Sequence, residues 1–144
     1  MKYFIGIIPS EKVKESILDF QKSIKNNSYP YLFEPHITVK APGGLTEDLQ
    51  WIDKIKERLS SFPCFSVYLD GVSTFEENGV VFLVPGPKDK IKELHKTLFD
   101  IIDSKKTFEF EDEDYHSHLT LAGVKWGISM EQILDITSSA EIFF

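Results

Sequence analysis

His36-Ile37-Thr38-Val39 and His118-Leu119-Thr120-Leu121 repeat one pattern: histidine, aliphatic, threonine, aliphatic. Successive side chains of a β-strand point to opposite faces, so His36 and Thr38 share one face while Ile37 and Val39 anchor the other in a core. The second copy does the same with His118 and Thr120 against Leu119 and Leu121. Pro35 favours extended backbone just before the first copy, and Pro42-Gly43-Gly44 stops it.

Working outward, residues 1–8 are β-branched and aromatic enough for a strand, and Ser10 is placed to cap a helix that opens on Glu11. Val13, Ile17, Phe20 and Ile24 recur there at helical spacing, Asn26-Asn27-Ser28 breaks the pattern, and Tyr29-Pro30 reads as a turn. Thr46 can cap a second helix over 47–60, with Leu49, Ile52, Ile55 and Leu59 on one stripe. A strand is expected over 65–69 and another extended segment from Gly71 to Phe75. The Asn78-Gly79 turn then joins it to a return strand over 80–84 as a hairpin. A third helix over 89–103 carries Ile91, Leu94, Leu98 and Ile102 on one face. Residues 107–110 read as a short strand, 111–114 as an acidic loop and 116–124 as extended chain. Ser129 caps a fourth helix through Ile133 and Ile136, and 140–144 looks like the first half of a strand.

Strand, helix, strand, helix, strand thus occurs twice, at an offset of roughly eighty residues. The expected fold is one α+β domain of two pseudo-symmetric lobes, about 1–75 and 80–144. Each lobe holds a mainly antiparallel sheet and two helices, with a cleft between them. The second copy ends early, which predicts either a missing last strand or a natural chain that continues past Phe144.

At 144 residues with 42% hydrophobic content, a core can form without disulfides or a structural metal. Cys64 is the single cysteine, which fits a reducing compartment, and a cytoplasmic location is expected. The apolar run over 3–8 is too short for a signal sequence, and no apolar stretch approaches the ~20 residues of a membrane span. Sixteen basic against twenty-three acidic residues give a net charge of −7, which opposes binding to long nucleic acids. No membrane and no DNA duplex are expected as partners. A nucleic-acid ligand should be small, and a monomer is expected.

If both polar strand faces line one cleft, two imidazoles and two hydroxyls surround one ligand atom. Imidazole titrates near ~6.5, so one ring can accept a proton while the other donates one, and threonine hydroxyls can hold the oxygens of a phosphoryl group. A single His-x-Thr on a strand is usually structural. Two copies, using two of the four histidines at equivalent places of a duplication, point to chemistry.

Pro35-His36-Ile37-Thr38-Val39-Lys40 and Ser117-His118-Leu119-Thr120-Leu121-Ala122 resemble the motifs of the two-histidine phosphoesterase superfamily, the 2′-5′ RNA ligase-like or cyclic phosphodiesterase-like proteins. The resemblance extends over nearly the whole chain. It implies a bilobal α+β protein that cleaves 2′,3′-cyclic or related nucleotide phosphates with no metal and no cofactor. It also implies a nucleotide or RNA terminus as partner, and His36, Thr38, His118 and Thr120 as the catalytic set, with His118 as base and His36 as acid. The family often continues its second motif with Ala-Arg, whereas here Ala122 is followed by Gly123, with Lys125 two residues on.

The expected substrate contacts are Lys40, Phe33, Tyr115, His116 and Lys125. Lys40 has the parity of His36 and either reaches a phosphate or projects into solvent. Tyr31, Phe33 and Tyr115 either stack on a base or pack in the core. His116 either lines the cleft or lies on the surface beside the acidic loop, while His95, beside an apolar stripe, reads as structural. The acids over 109–114 lack the spacing of a calcium loop, and Gly43-Gly44 lacks the Gly-Lys-Ser/Thr of a phosphate loop. A zinc hydrolase needs three protein ligands, and the two motifs supply two nitrogens and no carboxylate. RNA end joining by the same residues, or non-catalytic binding of an RNA end, are the alternative functions.

Overall fold

A computed structural model describes residues 2–102 and 112–139. In chain order the elements are β1 (Ile5–Ile7), α1 (Glu11–Ser23), α2 (Tyr29–Leu32), β2 (Ile37–Lys40), α3 (Trp51–Leu59), β3 (Tyr68–Phe75), β4 (Val80–Gly86), α4 (Lys88–Ile102), β5 (Leu119–Gly123) and α5 (Met130–Ser139). Short 3-10 turns lie at Asp112–Asp114 and Val124–Trp126. Among the described residues the protein is α+β, with β1 and β2 in one antiparallel sheet and β3, β4 and β5, in that order, in another. No helix of the described residues is long and apolar enough to cross a membrane. The strands expected over 107–110 and 140–144 lie outside the described residues.

The chain divides into two compact units, and each draws on both halves of the sequence. The first unit comprises Met1–Gly6, Thr38–Tyr68 and Gly86–Ser117. It holds the β1–β2 sheet apart from Ile7 and Ile37, together with α3 and α4. α4 buries Ile91, His95 and Leu98, spaced so that they share one helical face, and α3 contributes buried Ile55. α3 starts four residues later than the helix expected over 47–60. Leu49 adopts φ 60°, a left-handed conformation that interrupts a right-handed helix. Thr46 then spends its hydroxyl on Asp48 Oδ1 (2.6 Å), and its carbonyl accepts the Trp51 indole N–H (2.8 Å).

The second unit comprises Ile7–Ile37, Leu69–Pro85 and His118–Phe144. Its core gathers Ile17 from α1, Tyr29 from α2, Val81, Phe82 and Leu83 from β4, Leu119, Leu121 and Ala122 from β5, and Ile133 and Ile136 from α5. α1 and α2 both pack on β5. The hairpin forms as expected, closed by Asn78 N–H on the Phe75 carbonyl (3.2 Å) and Gly79 N–H on the Glu76 carbonyl (3.3 Å). Of the strand expected over 65–69, residues 65–67 are not strand, and the last two continue through Gly71, at φ 84°, into the segment up to Phe75 as one strand, β3.

Ser129 caps α5 reciprocally with Gln132: its Oγ accepts from the Gln132 N–H (3.1 Å), and Gln132 Oε1 accepts from the Ser129 N–H (2.9 Å). Ser10 stands at the start of α1 but makes no side-chain cap; its carbonyl accepts the Lys14 N–H (2.8 Å). Tyr29-Pro30 is the first turn of α2 rather than an isolated turn, since proline's fixed φ suits a helix start.

Candidate functional site

Thr120 sits in the second unit on β5, which among the described residues is an edge strand whose outer carbonyls need partners. The antiparallel register with β4 slips here: Val81 faces Ala122, Phe82 faces Thr120, and Leu121 is left unpaired. Such a bulge re-aims the strand locally. The Gln21 amide donates to the Thr120 carbonyl (3.1 Å), and the Asn27 amide donates to the carbonyls of Leu121 (3.1 Å) and Gln21 (3.0 Å). Gln21 and Asn27 are both buried, and Gln21 Oε1 has no hydrogen-bond partner among the described residues. Tyr29 is buried in the same core, and burial pushes its phenol above the ordinary tyrosine range.

His118, which leads into β5, is half-buried with its ring edge-on to Phe75 (5.2 Å, 82°) and Phe82 (5.6 Å, 68°). His36 belongs to the same unit, just before β2. Its Nδ1 lies 2.7 Å from the Glu34 carbonyl, so a neutral ring carries its proton on Nδ1.

Thr38 opens the β2 segment of the first unit. The Tyr115 hydroxyl donates to the Thr38 carbonyl (2.8 Å), and His95 Nδ1 donates to the Val39 carbonyl (2.6 Å). His95 Nε2 accepts the Asp112 N–H (2.8 Å), which fixes the neutral tautomer with the proton on Nδ1. The His95 and Tyr115 rings stack at 4.0 Å and 8°. Burial pushes the Tyr115 phenol well above its ordinary range. Both His-x-Thr strands therefore have two consecutive carbonyls held by buried or half-buried side chains, a pattern with one instance in each unit.

The expected substrate contacts divide. Lys40 does not project into solvent: it is fully buried, and its ammonium donates to the carbonyls of Ala41 (2.7 Å) and Gly43 (2.8 Å). An ammonium taken out of water must find such acceptors, which makes Lys40 an anchor of the turn after β2. Tyr115 has one face covered by His95 and its hydroxyl committed to Thr38. Phe33 is 40% exposed, with its ring 4.9 Å from Tyr29 and 6.1 Å from Trp126. His116 is exposed and lines a shallow depression of ≈ 220 Å³ with Lys88, Lys92, Tyr115 and Ser117.

Lys125 is exposed, its ammonium 5.8 Å from the Trp126 ring centre. Gly123 is required by packing, since a Cβ there would lie 2.7 Å from Trp126 Cε3. His95 is the buried structural residue the sequence indicates. Gln21, Asn27 and Tyr29 are the residues that sequence reasoning passes over. Gln21, four residues after Ile17 on the buried face of α1, carries the one legible signal, a polar side chain within an apolar stripe.

Among the described residues no three His, Cys, Asp or Glu side chains are grouped to hold a metal ion. A family model described as the 2′-5′ RNA ligase superfamily matches residues 9–142. No curated protein sequence matches the chain.

Proposed function

Because this chain belongs to the 2′-5′ RNA ligase superfamily, whose members act on RNA or nucleotide ends, we propose that it hydrolyses 2′,3′-cyclic phosphate ends of cytoplasmic nucleotides or short RNA without a metal. The observation that carries this reading is that both His-x-Thr copies are intact within the matched span. In this reading the two motifs bracket one phosphoryl group. His118 takes a proton from water, the water oxygen attacks phosphorus in line, and the bond to one ribose oxygen breaks. His36 protonates that departing oxygen, while Thr38 and Thr120 donate to the non-bridging oxygens where charge builds. The product is a monophosphate, and the histidines exchange protonation states. In the same reading the exposed ring of Phe33 stacks on a base, and the exposed His116 and Lys125 make outer contacts.

The test is turnover of the four 2′,3′-cyclic nucleotides in EDTA, with 2′- and 3′-monophosphate products resolved. His36→Ala and His118→Ala should each lower kcat by ~10²–10⁴-fold, the usual worth of a positioned acid or base. Wild-type protein that is folded yet inactive, or histidine variants as active as wild type, would refute the proposal. The family description favours a second reading, end joining, in which an RNA 5′-hydroxyl replaces water as nucleophile and a 2′-5′ linkage forms. RNA with a cyclic phosphate end, supplied together with a 5′-hydroxyl strand, separates the two by product length.

A further inference from the structure

We propose that the depression at the amino end of α4 is a phosphate subsite, filled by the backbone phosphate on the 5′ side of the terminal nucleoside of an RNA end. The assignment rests on the proposed hydrolysis of 2′,3′-cyclic phosphate ends and names the substrate class within it, an RNA end rather than a cyclic mononucleotide. The depression lies wholly within the first unit and is lined by Lys88, Lys92, Tyr115, His116 and Ser117. Three of the five are basic and two carry hydroxyls, while none is a carboxylate. In a chain with twenty-three acidic and sixteen basic residues, such a lining runs against composition. Lys88 and Lys92 stand about one helical turn apart on α4 and both line this space, so their ammonium groups can serve one anion.

The protein leaves this charge uncompensated. Among the described residues Lys88 makes no ion pair or hydrogen bond, and Lys92 gives one proton to the Glu113 carbonyl (3.3 Å) and keeps two. Nearby acids are engaged elsewhere: the Glu113 carboxylate accepts from Lys96 (2.7 Å), and Glu93 pairs with Lys90 (3.8 Å). Asp89, the acid in the first turn of α4, lines a separate depression with Lys92, Glu93, Lys96 and Asp100, where both signs mix. The amino end of a helix carries partial positive charge, so lysines there are destabilising unless an anion joins them. At ≈ 220 Å³ the space falls short of the roughly 300–1,000 Å³ that encloses a whole small ligand, and it suits a single oxyanion group. Lysine binds phosphate as a point charge, and Ser117 and His116 add hydrogen-bonding groups beside it. His118 follows Ser117, and two residues of extended chain span at most ~7 Å, so the backbone keeps His116 within that distance of the histidine assigned as base. One ribose separates a terminal cyclic phosphate from the next phosphate of the strand, a span on the same scale.

Adenosine 2′,3′-cyclic phosphate should be compared, in EDTA at low salt, with the same compound carrying a 5′-phosphate, which isolates the phosphate from the contacts of a second base. Wild type should favour the 5′-phosphorylated substrate about tenfold in kcat/KM, mostly through KM, because the contact is the same before and during reaction. Lys88→Ala and Lys92→Ala should each bring that ratio to about threefold, and the double variant to about one. Rising salt should shrink the wild-type ratio, since charges this exposed are screened. A wild-type ratio near one, or a ratio unchanged in the double variant, overturns the assignment. In a second arm inorganic phosphate is titrated while the His116 imidazole NMR signals are followed; they should shift to saturation in wild type and not in the double variant. Saturable shifts beside a wild-type ratio near one would assign the depression to free phosphate and overturn its use by an RNA end. Shifts that persist in the double variant, or none in wild type, overturn the subsite. Folded wild type that turns over neither substrate overturns the hydrolytic function itself, and the phosphate titration then judges the depression alone.

Discussion

Truncating His95 would strand two backbone groups at once, the Val39 carbonyl and the Asp112 amide, each now satisfied by one ring nitrogen. We expect His95→Ala to cost about 2–4 kcal/mol, from two orphaned polar groups and a cavity beside Tyr115, measurable by urea unfolding. A loss below about 0.5 kcal/mol would mean that water replaces both bonds. Lys40 makes the complementary case. Strand parity placed it with His36, but the alternation that holds from Ile37 to Val39 ends there, and both Val39 and Lys40 are buried. Parity says which way a side chain leaves a strand and nothing of what then closes over it. For His95 the position beside an apolar stripe was sufficient, because a helical face is set by spacing within one element.

At the scale of elements, β5 and the turn after it show how tightly the second motif is seated. Gly123 is extended at φ −163°, a conformation open to any residue, so its identity is dictated by the Trp126 ring rather than by the backbone. Gly123→Ala should push the indole away from Tyr29 and cost about 1–3 kcal/mol, as overpacking does. The check is a thermal melt with Trp fluorescence; an unchanged melt and emission would show that the ring relocates without penalty. Elements with local signals were legible in the sequence: the Asn78-Gly79 hairpin, the cap at Ser129, and the buried spacing of α4. The late start of α3 was not, because the left-handed turn at Leu49 is held by Thr46, Asp48 and Trp51 acting together.

For the whole molecule, the buried tyrosines set a pH limit. Tyr29 and Tyr115 both titrate above their ordinary value of 10.0 when folded. A group with a raised folded pKa contributes stability in full below the unfolded value and loses it as pH rises toward the folded one. Between those limits the unfolded chain has released protons that the folded chain still holds. Stability should therefore be flat below about pH 9 and fall above about pH 10, by roughly 1.4 kcal/mol per pH unit for each such tyrosine. Urea midpoints at pH 8 and 10.5 test this, and Tyr115→Phe should shallow the alkaline slope. An unchanged slope in that variant would assign the fall to other groups.

The sequence by itself determined the two His-x-Thr strands, the α+β class and the family, because strand parity, helical spacing and turn chemistry act over a few residues. Only the tertiary structure decided which side chains hold those strands. Gln21 and Asn27 reach β5 across 99 and 94 residues, and His95 and Tyr115 reach β2 across 56 and 77. The composition of each unit, drawn from both halves of the chain, was decided at the same level. A carbonyl on a strand edge accepts from whatever donor the packing brings to it. Such a bond has no periodicity and no preferred separation, so nothing in the order of residues announces it.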